Sequence, residues 1–185
     1  MILVLIDRCD PPAAPGTRLP GTGEPLLSLL RSVCAPLGLP QWEVNLVLVE
    51  DEVMAELNES FRRRPGVTDV LSFSYLDRNG QGEPALPCGR GTAACDLWAE
   101  DFPAPGGKDP AGAVGEVIIA PAYVADCCRR AGWPADAEFA LLVIHGCLHL
   151  LGWQHGQAAQ QKAMQTEEER LLAALGMKHP LLGRS

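Results

Sequence analysis

No apolar run in this chain approaches the ~20 residues that cross a bilayer, so no membrane-spanning helix is expected. Residues 1–6 are apolar, but no basic region precedes them, and Asp7 and Arg8 interrupt them too early for a secretory signal core. A first strand is expected there, and no transit peptide is recognisable. A regular cysteine framework is also missing. The seven cysteines, at 9, 34, 88, 95, 127, 128 and 147, are odd in number, and several stand in apolar segments where a free thiol packs as a small hydrophobe. That usage fits a reducing compartment. Cys88 and Cys95 are open to a metal site, a disulfide or neither. An excess of positive charge is lacking too: 15 basic residues face 23 acidic ones, for a net charge of −8. A broad nucleic-acid-binding surface is therefore not expected, and any polyanion must be met by a local basic patch or by a metal.

Histidine is scarce as well, and its placement is informative. Three of the four histidines, His145, His149 and His155, fall within residues 140–156. His145 and His149 are four residues apart, on one face of a helix. At about 100° per residue, a continuing helix would carry His155 to the far side from His149. Gly152 resolves this, because glycine is the usual residue just past a helix end and lets the chain turn back. Three imidazoles would then meet one zinc ion and leave a fourth position for water, as in catalytic zinc sites. A lone histidine on an apolar helix is ordinarily a hydrogen-bonded core residue. Three costly polar groups in one apolar run are not explained that way.

The rest of the chain reads as one domain of 185 residues, 47% hydrophobic and 21% charged, which is globular composition. Strands are expected at 2–6, 43–50, 69–75 and 115–120. Helices are expected at 24–36, 51–61 (with Asp51 as its cap), 121–130, 135–151 and 158–175. Residues 76–113 are rich in Gly and Pro and read as an irregular insertion. The expectation is an α+β domain: a mixed sheet of about four strands, about five helices and a three-histidine zinc site at the end of a buried helix.

Three stretches resemble the YbeY family of endoribonucleases, the rRNA maturation factors. They are H-G-C-L-H-L-L-G-W-Q-H from His145, N-E-S-F-R from Asn58 with T-D-V-L-S-F from Thr68, and V-G-E-V from Val114. The resemblance implies one zinc per chain on His145, His149 and His155, and cleavage of single-stranded RNA in ribosomal RNA processing and ribosome quality control. Its implied partners are a ribosomal RNA precursor and ribosomal proteins. It also implies a monomer in the cytoplasm or, alternatively, in an organelle matrix or stroma. The family's arginine falls on Arg62, implied to be catalytic, with Arg63 and Arg64 beside it as RNA-binding candidates. Read without the resemblance, these arginines are a solvated run favoured by a helix C-terminus. Thr68 and Asp69 suit the site and a strand-opening turn equally. Gln154 stands where many members carry aspartate, as a candidate to orient a ligand from behind.

Two other functions share parts of this pattern. The histidine spacing also matches metzincin proteases, whose glutamate base would fall on Gly146. Glycine accepts no proton, and the next acids, Glu138 and Glu167, lie outside the motif. The second rival is a non-catalytic ribosome-assembly factor with a structural zinc.

Overall fold

The structure is a computed structural model that describes residues 2–7, 43–74, 113–151, 153 and 155–180. Its strands are β1 (Ile2–Asp7), β2 (Glu43–Leu48), β3 (Val70–Ser74) and β4 (Ala113–Ile119). Its helices are α1 (Asp51–Arg62), α2 (Pro121–Ala131), α3 (Ala135–Leu150) and α4 (Ala158–Ala174). The strands form one sheet in the order β1-β2-β4-β3. β1, β2 and β4 are parallel, and β3 runs antiparallel to β4. The fold is α+β. The helix expected at 24–36 and the insertion at 76–113 lie outside the described residues.

Strand periodicity sorts the core into two layers. Val44, Leu46 and Leu48 of β2, Val117 and Ile119 of β4, and Val70 of β3 face a cluster with Phe139, Val143, Ile144, Met164 and Leu172. Val47, Ile118 and Leu71, one residue out of phase, face Met54 and Leu57 of α1. Both faces of the central strands are covered, as parallel strands require.

α3 is buried over Ala137–Ile144 and again at Gly146, Cys147, Leu148 and Leu150. A helix apolar on all sides belongs in a core. Asp51 does not cap its own helix as expected. Position 50 is the N-cap, without a side-chain cap bond. The Asp51 carboxylate instead accepts the Tyr123 N–H at 3.2 Å, in the first turn of α2. That helix starts at Pro121 after Ala120, which has no capping side chain, so it takes its acceptor from a neighbour.

Candidate metal centre

His145 and His149 project from the last two turns of α3. Leu151 ends the helix, and the Trp153 N–H donates to the Leu148 carbonyl at 3.0 Å. That bond closes a Schellman-type end and reverses the chain toward His155. Gly152 and Gln154 lie outside the described residues.

The ring centroids are 4.5 Å apart for His145 and His149, 4.9 Å for His149 and His155, and 5.5 Å for His145 and His155. One nitrogen from each ring lies within 4.8 Å of the other two. The Nε2 atoms of His145 and His149 are 3.1 Å apart. Tetrahedral zinc ligands at 2.0–2.1 Å are spaced by roughly 3.3 Å, so this pair is already at ligand spacing.

Proton bookkeeping supports the same fit. The His149 Nδ1 faces the Trp153 carbonyl at 3.0 Å, and a carbonyl only accepts. The proton therefore sits on Nδ1. The His145 Nδ1 faces the Glu168 Oε1 at 2.7 Å, which places its proton there too. Both Nε2 lone pairs then point at one another, an arrangement that a cation between them relieves. The His149 pKa is lowered to about 4, chiefly by burial, with further lowering from His145, His155 and Arg62 against the opposing Trp153 hydrogen bond. His149 is thus neutral, as a ligand must be. The three histidines can hold a metal ion.

Glu168 is a further site residue, outside the three motifs. It lies on α4 with its side chain 6% exposed, and its second oxygen lies 3.4 Å from the His179 Nε2. A carboxylate behind a ligating histidine fixes the tautomer and raises ligand basicity. Its neighbour Glu167 instead pairs with Arg170 at the surface. The signal was present in the sequence: Glu168 falls in the stripe of Met164, Leu171 and Leu172, the wrong face for an unpartnered acid. Gly176, at φ 73°, ends α4, and the Met177 N–H returns to the Leu172 carbonyl, so the chain doubles back and His179 reaches Glu168.

Arg62 is the last residue of α1. The edge-on Phe61–Phe73 contact, with centroids 4.8 Å apart, anchors this helix end to β3. The Asn58 amide donates to the Gly66 carbonyl at 2.8 Å and ties down the turn that follows. Arg62 is exposed, yet its charge bears on His149. Arg63 and Arg64 are exposed as well, and Arg63 sits in the left-handed region at φ 54°, uncommon for a side chain with a Cβ. The Asp69 Oδ1 accepts from the Thr68 hydroxyl and the Val70 N–H, the bonds of a strand-opening turn.

Gly146 is where α3 meets the sheet. A Cβ there would lie 2.6 Å from the Val117 Cγ1 and 3.1 Å from the Ser72 Oγ. A side chain there would have to displace Val117, so the packing disfavours a glutamate at the metzincin position.

The fold and the site together define an α+β protein with a three-histidine cluster able to hold a metal ion, open at His155 and backed by a buried carboxylate. The model of one family, described as endoribonuclease YbeY, matches residues 26–176, and the chain belongs to that family. An endoribonuclease YbeY of Rhodococcus opacus is 33% identical over 150 residues, covering 80% of this chain and 72% of the relative. One of Mycolicibacterium paratuberculosis is 35% identical over 148 residues, with the same two coverages of 80% and 72%. The solution structure of a Thermotoga maritima protein superposes with a TM-score of 0.53 over 95% of this chain and 92% of that one. At 20% identity it bears on the fold alone.

Proposed function

We propose that this protein is a zinc-dependent endoribonuclease that cuts single-stranded RNA in ribosomal RNA maturation and quality control. The endoribonuclease family fixes the class of reaction. The observation that carries the zinc is the convergence of two Nε2 lone pairs whose Nδ1 protons are committed to Glu168 and to the Trp153 carbonyl. A zinc ion on His145, His149 and His155 supplies a Lewis acid at the phosphodiester and lowers the pKa of bound water toward 7. His155 is exposed and the other two are half-buried, which suits a site that admits substrate better than a closed structural one.

Arg62 is the proposed catalytic residue. Its guanidinium binds the phosphate with paired donors and offsets the charge that builds up during cleavage. Arg63 and Arg64 extend the same patch along the RNA backbone, a local basic feature in an acidic protein. Glu168 holds the His145 ring in place. Gln154 remains a candidate to orient a neighbouring ligand by hydrogen bonding. We further propose a single domain over residues 1–185 with an insertion at 76–113, acting as a monomer with ribosomal RNA precursors and ribosomal proteins in the cytoplasm.

The test is metal analysis followed by cleavage of single-stranded RNA, with a chelator control. About one zinc per chain is expected, lost with all cleavage in His149→Ala. Arg62→Ala should keep its zinc and melting temperature and lose cleavage ~100-fold or more. Arg62→Lys should recover part of it, since lysine keeps the charge without the planar fork. Zinc without any chelator-sensitive cleavage, and an Arg62→Ala defect confined to partner binding, would establish the non-catalytic assembly factor instead.

A further inference from the structure

A concavity opens about two helical turns along α3 from the histidine centre. It is a cavity of about 470 Å³ whose lining includes Thr68, Asp69, Tyr123, Cys127, Trp133 and Glu138. Glu138 and His145 are seven residues apart on α3, which places them on one helix face about 10 Å apart along the axis. Residues 62–69 join the two places. Arg62 stands at one end, as the last residue of α1, and Thr68 and Asp69 at the other form a wall of the cavity. A phosphodiester held between the histidines and Arg62 therefore has the cavity within reach of a neighbouring base.

The chemistry of the wall is specific. Glu138 is 7% exposed, and its Oε2 is buried with no hydrogen-bond partner among the described residues. An unmet buried acceptor costs roughly 1–3 kcal/mol, which a turn of the carboxyl toward a ligand in the cavity can recover. Asp69 stands close enough to add to the effect of burial in raising the Glu138 pKa. Asp69 commits Oδ1 to Thr68 and Val70, so the two carboxyl groups still have acceptor capacity to offer. Tyr123 and Trp133 add aromatic surface. Arg130, at the same cavity, is held by Asp126 at 2.9 Å. The complement is a flat, partly apolar body with adjacent N–H donors on one edge. Among RNA bases, guanine carries such an edge, in its ring N1–H and 2-amino group. Splayed-out bases in single-stranded RNA are recognised by stacking and by hydrogen bonds to that edge.

We propose that this cavity is a guanine-binding subsite that positions single-stranded RNA for cleavage at the histidine centre. This rests on the endoribonuclease reading above. The test compares the zinc-loaded full chain on oligouridylates carrying a single guanosine, inosine or adenosine. Inosine lacks the 2-amino group. The guanosine substrate should show kcat/KM roughly tenfold or more above the other two, with cuts at a fixed offset from the guanosine. Glu138→Gln puts an amide donor where an acceptor is needed and should erase that preference. Zinc content, melting temperature and kcat/KM on plain oligouridylate should stay unchanged. Cys127→Leu narrows the cavity and should erase the preference by a separate route.

Equal cleavage of the three substrates by the wild type would overturn the subsite and leave the endoribonuclease reading standing. An equal loss on all substrates in Glu138→Gln would overturn it too, by showing a structural role. If an arginine-rich peptide bound the wild type but not Glu138→Gln, with no base preference, the cavity would belong to a basic protein partner. No cleavage of any RNA by zinc-loaded wild type would defeat both readings together.

Discussion

His149 shows how surroundings prepare an ordinary side chain to act as a ligand. Burial and two neighbouring imidazoles hold its pKa near 4, and the Trp153 carbonyl selects the tautomer that presents Nε2. In metal-free protein this lowered pKa has a sign. The unfolded chain binds a proton on His149 from about pH 6.5 downward, whereas the folded chain does so only near pH 4. Stability should therefore fall as pH drops through that window and recover above it, as urea titrations at several pH values would measure. His149→Gln should flatten the dependence. Glu168 acts one step further back. Glu168→Gln keeps the shape and removes the charge behind His145, so zinc affinity should fall ~10–100-fold by competition with a chelating dye. Unchanged affinity would mean that the 2.7 Å contact does not tune the ligand.

At the scale of elements, the site depends on how closely α3 lies on the sheet. Gly146 is the contact point, with Val117 and Ser72 filling the space a Cβ would need. Gly146→Ala improves helix propensity by up to ~1 kcal/mol, yet overpacking should outweigh that, for a net loss of about 1–3 kcal/mol. The melting temperature should drop by roughly 2–4 °C per kcal/mol. Zinc affinity should fall with it, because His145 and His149 move with the helix. A melting temperature equal to or above wild type would show that the sheet gives way freely. α1 is held in a complementary manner. Phe61 on Phe73 and Asn58 on Gly66 fix its end, so Arg62 points from a rigid element rather than a loose loop.

Across the whole molecule, a metal held by the three histidines would be a clasp between segments that are distant in the chain. α3, the turn after it and, through Glu168, α4 all meet at one point, and His179 draws in the chain beyond α4. An ion bound only by this arrangement stabilises the folded state by about 2.7 kcal/mol at a hundredfold excess over Kd. Chelation should lower the melting temperature, and zinc should restore it in a concentration-dependent way. The His149→Ala protein should show neither response in differential scanning calorimetry.

Much of this was legible in the sequence, because its signals are local and periodic. H-x3-H and H-x5-H around a helix end sufficed to place three imidazoles together. Alternation in Glu43–Leu48 and the apolar continuity of Ala135–Leu150 sufficed for a strand and a buried helix. The partners that depend on packing across the chain were not legible. Asp51 caps α2 rather than its own helix, Glu168 and not the adjacent Glu167 supports a histidine, and Gly146 is glycine because Val117 lies against it. The cavity between residues 67–69 and Glu138 has no sequence signature either. Helical and strand periods state which face a residue occupies, but not which distant residue that face will meet. That choice is made when the elements pack, and so tertiary structure alone determined how the centre is supported and what surrounds it.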